Sequence, residues 1–143
     1  MRKLIGGLVL AAFALGIGAC GDSTGPKENV TGTYMLQTVG GFALPLTLYQ
    51  DDTELDELTD GSITLNSDRS WSAVLNGRVT TAQGVQPLEP AQGSGTYTLD
   101  GTTLLLTDET AQGQQLHGTV SGGTLTLLEN DGLGGTVALV FKR

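Results

Sequence analysis

One cysteine and one histidine in 143 residues leave little for the commoner enzyme chemistries. Cys20 has no intramolecular disulfide partner. A metal centre of the usual kind asks for several His or Cys ligands. Nucleophilic catalysis asks for a nucleophile, a base and an orienting group. His117 falls on a Thr-rich strand face, where an exposed histidine is the ordinary reading. The serines lack the context of a nucleophile elbow. Asp108 and Glu109 offer a carboxylate pair, but adjacent strand residues point to opposite faces. The chain therefore reads as non-enzymatic, with no catalytic residue, metal site or cofactor. Charge is scarce too, at 15% of residues, and cations are scarcer still: 7 Lys and Arg against 15 Asp and Glu, a net charge of −8. Such a surface disfavours nucleic acid and anionic headgroups as partners.

What is abundant is glycine, 22 residues of it, together with regularly spaced threonine. The segment from Gly95 to Asn130 shows how they are used. Tyr97 and Leu99 alternate with Thr96 and Thr98, and Leu104 and Leu106 alternate with Thr103 and Thr107. Asp100-Gly101 predicts a two-residue type I′ hairpin with Leu99 opposite Thr102 and Tyr97 opposite Leu104. Gly122-Gly123 predicts a second, with Val120 opposite Leu125 and Gly118 opposite Leu127. In both, the apolar residues share one face and threonines occupy the other, with Leu105 as the exception. Turn chemistry and periodicity agree, which points to antiparallel sheet.

The same pattern runs along the chain. Val30, Gly32, Tyr34 and Leu36 begin a first strand, ended by Gly40-Gly41. Residues 42–49 surround Pro45 and form an edge strand or bent connection. The acidic run Asp51–Asp60 lacks the ligand order of a calcium loop. It reads as a solvated loop or short lid, with one helical turn capped by Asp51 or Asp52 as an option and calcium as a minor one. A three-residue loop at Ser67–Arg69, with a bulge, sets Leu65 opposite Trp71 and Ile63 opposite Ala73. Trp71, Ala73, Leu75, Gly77 and Val79 continue the inner face. Residues 82–92 form a loop with a short edge strand at Val85. Asp131-Gly132 makes the last turn, after which Leu133, Gly135, Val137, Leu139 and Phe141 alternate inward. About eight strands in sequence, without a long helix, fit an antiparallel up-and-down barrel or a β-sandwich. Short hairpin connections favour the barrel.

The first 19 residues read as a targeting segment. Arg2-Lys3 precede an apolar stretch, Leu4 to Ile17, that is shorter than the roughly 20 residues of a spanning helix. It closes with Ile17-Gly18-Ala19-Cys20, which resembles the lipobox of bacterial lipoproteins. The resemblance implies cleavage before Cys20 and lipidation of that residue, giving a membrane anchor. Residue 21 is Gly and not Asp, which leans towards the outer membrane, facing the periplasm or the cell surface. Residues 20–28 then form the lipidated Cys and a flexible tether with a reach of roughly 15 Å, and residues 29–143 a single all-β domain.

That domain resembles the lipocalin-like (calycin-type) barrels of bacterial lipoproteins. Gly32-Thr33-Tyr34, the unit from Gly95 to Thr107 and the closing Val140-Phe141-Lys142-Arg143 carry the likeness. Lipocalins place a G-x-W on the first strand with a basic residue packed over the Trp. Here Tyr34 takes the Trp position and Lys142 or Arg143 the basic one. The resemblance implies a small hydrophobic ligand inside the barrel, with Tyr34, Trp71, Tyr97 and Phe141 as interior residues. The alternative is a filled core acting through the 42–60 and 82–92 segments on an envelope protein.

Overall fold

The computed structural model describes residues 28–143. The leader expected over 1–19 and the lipidated Cys20 lie outside them. Among the described residues there are eleven strands and no helix. They are β1 (Gly32–Val39), β2 (Phe42–Ala43), β3 (Leu46–Gln50), β4 (Glu54–Leu65), β5 (Ser70–Thr81), β6 (Gly84–Pro87), β7 (Ala91–Asp100), β8 (Thr103–Asp108), β9 (Gln114–Ser121), β10 (Thr124–Asn130) and β11 (Thr136–Lys142).

Eight of these close on themselves. The ladder runs β1-β11-β10-β9-β8-β7-β5-β4, and β4 pairs back onto β1 through Gly32–Leu65 and Tyr34–Ile63. Every pairing is antiparallel, so the meander is a closed, lipocalin-like up-and-down barrel and not a sandwich. Strands β2, β3 and β6 are short edge additions to β1, β4 and β5. Pro45 sits between β2 and β3 in a bent connection, where no ladder donor is needed.

The local turn rules hold in detail at two hairpins. Gly122 and Gly123 both have positive φ, and Val120 faces Leu125 as a type I′ turn requires. At Asn66–Ser70 the loop has three residues and Leu65 faces Trp71. Arg69 takes the left-handed conformation that ends such a loop (φ 70°), and the Asn66 amide donates to the Ser70 carbonyl at 2.9 Å. The third hairpin corrects the prediction. The turn residues are Gly101 and Thr102, not Asp100 and Gly101, so Leu99 faces Leu104 and Tyr97 faces Leu106. The slip spans two positions, which leaves each side chain on its expected face.

Three further expectations are overturned by long-range pairing. Most of the acidic run is the start of β4, held against β5 from Glu54–Thr81 onwards, so there is no helical turn at 51–60. Asp51 instead caps the β3–β4 turn, accepting the Thr53 and Glu54 amides at 2.7 and 2.8 Å. The last connection is a five-residue loop with Asn130 opposite Thr136. Leu133 therefore stands 93% exposed, and Gly135 lies in the loop, exposed, not on the inner face. Bulges interrupt the alternation in β1 (between Leu36 and Thr38) and β4 (between Leu58 and Asp60). Each switches the later residues to the other face. That is why both Ile63 and Leu58, an odd number of residues apart, are buried.

The core is the barrel interior. Tyr34, Ile63, Leu65, Leu104, Leu106, Val120, Leu125 and Phe141 are the largest enclosed side chains, and among the described residues no polar or charged residue is buried. Gly95 and Gly118 point into it where adjacent strands come closest. A Cβ at Gly95 would strike the Thr107 carbonyl oxygen, and one at Gly118 the Thr126 carbonyl and the Leu127 side chain.

Candidate functional site

The two ends of the barrel are built differently. At one end the strands are joined by the short turns at 66–69, 101–102 and 122–123, and the N-terminal segment crosses it. Here Tyr34 and Tyr97 fill the interior. The Tyr34 hydroxyl donates to the Val30 carbonyl and the Tyr97 hydroxyl to the Asn66 carbonyl, each at 2.7 Å. Each ring is covered by an arginine: Arg143 lies 5.4 Å from the centroid of Tyr34, and Arg69 5.4 Å from that of Tyr97. Arg143 also donates through Nη1 to the Asn29 and Thr31 carbonyls at 2.8 Å, tying the two chain ends of the barrel together. Burial pushes the Tyr34 phenol above its usual range, and the Arg143 charge partly opposes this. Of the two basic residues expected near Tyr34, Arg143 fills the place. Lys142 is exposed.

At the other end the connections are the β2–β3 excursion, the β6 segment and the loops at 109–113 and 131–135. Leu44 and Leu46 pack onto the core beneath the excursion. Beside them the interior is not filled. A cavity of about 180 Å³ reaches down to Ile63, Leu139 and Phe141. Trp71, Ala73 and Leu75 of β5 form one wall, and Leu116 and Leu127 the facing one. Its mouth is set by Ala91, Gln92 and Gly93 at the start of β7, Asp108 at the end of β8 and Glu129 near the end of β10.

Strand tilt explains how Trp71, second in β5, reaches this end. Following the ladder sideways, Trp71 pairs with Gly95, Gly95 with Asp108 and Asp108 with Gln114. The start of one strand is thus level with the end of another, as closure with shear demands. The indole is fixed by its Nε1, which donates to the Thr107 carbonyl at 3.2 Å. Gly93 lets it lie flat against the wall: a Cβ there would meet Trp71 Cη2 at 3.1 Å and Asp108 Oδ2 at 3.2 Å. Indole tip and carboxylate therefore both border the space over Gly93. Asp108 Oδ1 is occupied by the Thr110 and Ala111 amides at 2.8 and 3.1 Å, which fold the 109–113 loop.

Away from the cavity, Asp51 accepts the Tyr49 hydroxyl at 2.6 Å in addition to its backbone donors. Those donors, the Tyr49 hydroxyl foremost, hold the Asp51 carboxyl down at about 2, and the same bond raises the Tyr49 phenol. At the opposite end the Ser70 hydroxyl and amide lower Asp68 in the same way. Among the described residues no three His, Cys, Asp or Glu side chains come together as a metal-binding group.

All four interior residues expected from the sequence are buried, but they part company. Trp71 and Phe141 line the cavity, whereas Tyr34 and Tyr97 plug the other end. Of the mouth residues, Gln92 and Glu129 escaped the sequence reading, and Asp108 entered it only as half of a carboxylate pair with Glu109. Inward parity was available for Asp108 and Glu129, two positions beyond Leu106 and Leu127. Nothing local marks Gln92, which lies between the inward positions Ala91 and Gly93.

No family model and no curated protein sequence matches the chain. Among solved structures it is similar to the Cpx pathway activator NlpE from Escherichia coli, with 26% identity and a TM-score of 0.37, over 63% of this chain and 42% of that one. It is also similar to a fatty-acid-binding protein isolated from Manduca sexta, with 14% identity and a TM-score of 0.36, over 81% of this chain and 100% of that one. The chain thus spans less than half the length of the NlpE chain. Its own strand pairing, with β1 hydrogen-bonded to both β4 and β11, is what makes it a closed, lipocalin-like barrel of eight strands.

Proposed function

We propose that the chain is a lipid-anchored protein of the bacterial envelope whose barrel binds a compact apolar ligand at its open end. The observation that carries this reading is the cavity behind an open mouth, about 180 Å³ and walled by Trp71, Phe141 and aliphatic side chains. An apolar cavity of ~150 Å³ is enough to take up a benzene-sized molecule. The site suits a ring-sized group, with the rest of the ligand standing in the mouth.

The anchor would leave that mouth accessible. Glu28 accepts the Gly122 amide at 2.8 Å, so the tether joins the barrel at its closed end. With Cys20 in the membrane, the cavity mouth lies at the end of the barrel opposite the attachment, roughly 20–25 Å from it by strand length and tilt. A second reading, an interaction module acting on an envelope protein, draws on apolar side chains standing out near the open end, Phe42 (68% exposed), Leu48 and Val85 among them.

Trp71 is the chain's one tryptophan, which makes it a built-in probe. The full chain in phosphatidylcholine vesicles should change its tryptophan emission saturably on titration with small phenyl-substituted compounds, and Ala73→Phe, which fills the cavity, should abolish the response. Unchanged emission across such compounds would overturn ligand binding. Crosslinking to one specific protein in whole cells would then favour the interaction module.

A further inference from the structure

The ligand class can be narrowed, on the footing of the binding site just proposed, by asking what a polar head in the mouth would meet. It meets carboxylates. Asp108 is half-buried on the cavity lining with Oδ1 taken up by the loop amides, while its Oδ2 borders the space over Gly93, as the Trp71 indole does, and makes no hydrogen bond. Glu129 lines the same mouth, exposed and without a hydrogen-bond or ion-pair partner among the described residues. Gln92 is the remaining polar residue on the lining, at a strand position that faces outward.

Among the described residues the cations are elsewhere. Four of the chain's 7 lie in residues 28–143. Arg69 and Arg143 cover the two tyrosines at the closed end, and Lys142 ends β11 beside them. Arg78, on the outer face of β5, pairs with Glu57 at 2.7 Å. A ligand carboxylate or phosphate would enter this mouth without a partner and against two like charges, which disfavours it. A protonated amine would find complementary charge directly above an apolar pocket with an aromatic wall.

We infer that the cavity recognises amphiphilic cations: a ring-sized apolar group seated between Trp71 and Phe141, carrying an ammonium on a short linker that reaches Asp108 and Glu129. The geometry allows one ammonium to serve both. Strands β8 and β10 flank β9, so the two Cα atoms stand ~10–12 Å apart, a gap that two inward side chains and one ammonium span. The apolar part supplies depth and the carboxylates supply the choice of head group.

Three probes on one skeleton test this: 3-phenylpropylamine, 3-phenylpropan-1-ol and 3-phenylpropanoate, each titrated into the full chain in phosphatidylcholine vesicles with Trp71 emission as the readout. The amine should bind about tenfold more tightly than the alcohol, as expected of a partly exposed pair of carboxylates, and the carboxylate more weakly than the alcohol. In the double variant Asp108→Asn, Glu129→Gln the amine should fall to the affinity of the alcohol, while the alcohol is unmoved. Asn keeps the Oδ1 acceptor that folds the 109–113 loop, so the variant removes charge and leaves shape. Equal affinities for amine and alcohol in the parent chain would overturn the cation assignment and leave the apolar site standing. A double variant that still prefers the amine would overturn the roles of Asp108 and Glu129. No response to any probe would overturn the binding site as well.

Discussion

The closed end of the barrel and the open end are made from the same strands by opposite means. At the closed end connections are two or three residues long, the interior is occupied by two tyrosines, and each hydroxyl has a carbonyl partner under an arginine. At the open end the connections carry extra strands, the interior holds a cavity of about 180 Å³, and the side chains at its rim are carboxylates. Satisfied polar groups over a filled core resist local opening, while a half-filled interior under long connections leaves room for a guest. One protein can therefore hold its stability at one end and its adaptable surface at the other. The cost of changing a residue should depend on the end it occupies.

The largest contrast is in the core. Tyr34→Ala removes a fully enclosed ring and should cost ~3–5 kcal/mol, whereas Leu75→Ala on the half-exposed cavity wall should cost less than ~2 kcal/mol. Urea unfolding of the two variants measures this directly, and equal losses would erase the distinction between the ends. Next in size is the arginine cover. Arg143→Gln loses two bonds to carbonyls and the stacking on Tyr34, worth about 1 kcal/mol at an exposed position. Arg78→Gln, which breaks the pair with Glu57, should cost about half as much or less. A larger loss at Arg78 would move the weight of the argument to the open end.

The smallest effects are in pH dependence, and they differ in sign. The Tyr34 phenol is raised above 10.0 in the folded chain, chiefly by burial. The stability this represents is present below pH 10 and is lost as pH rises through the folded value, so the closed end gives way in alkali. Tyr34→Phe should flatten that alkaline decline. Asp51 is lowered from 3.8 to about 2 by the Tyr49 hydroxyl and the amides of its turn. Its contribution is present above 3.8 and is lost as pH falls towards 2, so the open end gives way in acid. Thermal unfolding of Asp51→Asn across pH 2 to 5 should show a shallower acid decline than the parent chain. An unchanged profile would remove Asp51 from the account.

Much of this architecture was legible locally. Alternation of apolar and Thr residues assigned inward and outward faces in β7 to β10, and the Gly-Gly and three-residue turns set two hairpin registers correctly. Alternation identifies a face but not a neighbour, and it fails wherever a bulge changes the count. Hence Leu58 and Leu133 could not be placed from spacing alone: one is buried through the β4 bulge, and the other is exposed because Asn130 pairs with Thr136. The acidic start of β4 is strand because β5 runs alongside it, a tertiary contact that overrides weak local preference.

By itself, then, the sequence determined the all-β class, the number of main strands and the inward set that includes Tyr34, Trp71, Tyr97 and Phe141. Only the tertiary structure decided that β1 closes the sheet onto β4 and β11, that two of those aromatics seal one end while two line a cavity at the other, and that Asp108 and Glu129 share its mouth. The reason is shear. Side-chain direction repeats every two residues and can be read along one strand, but the level at which residues of different strands meet is set by the stagger of the closed ladder.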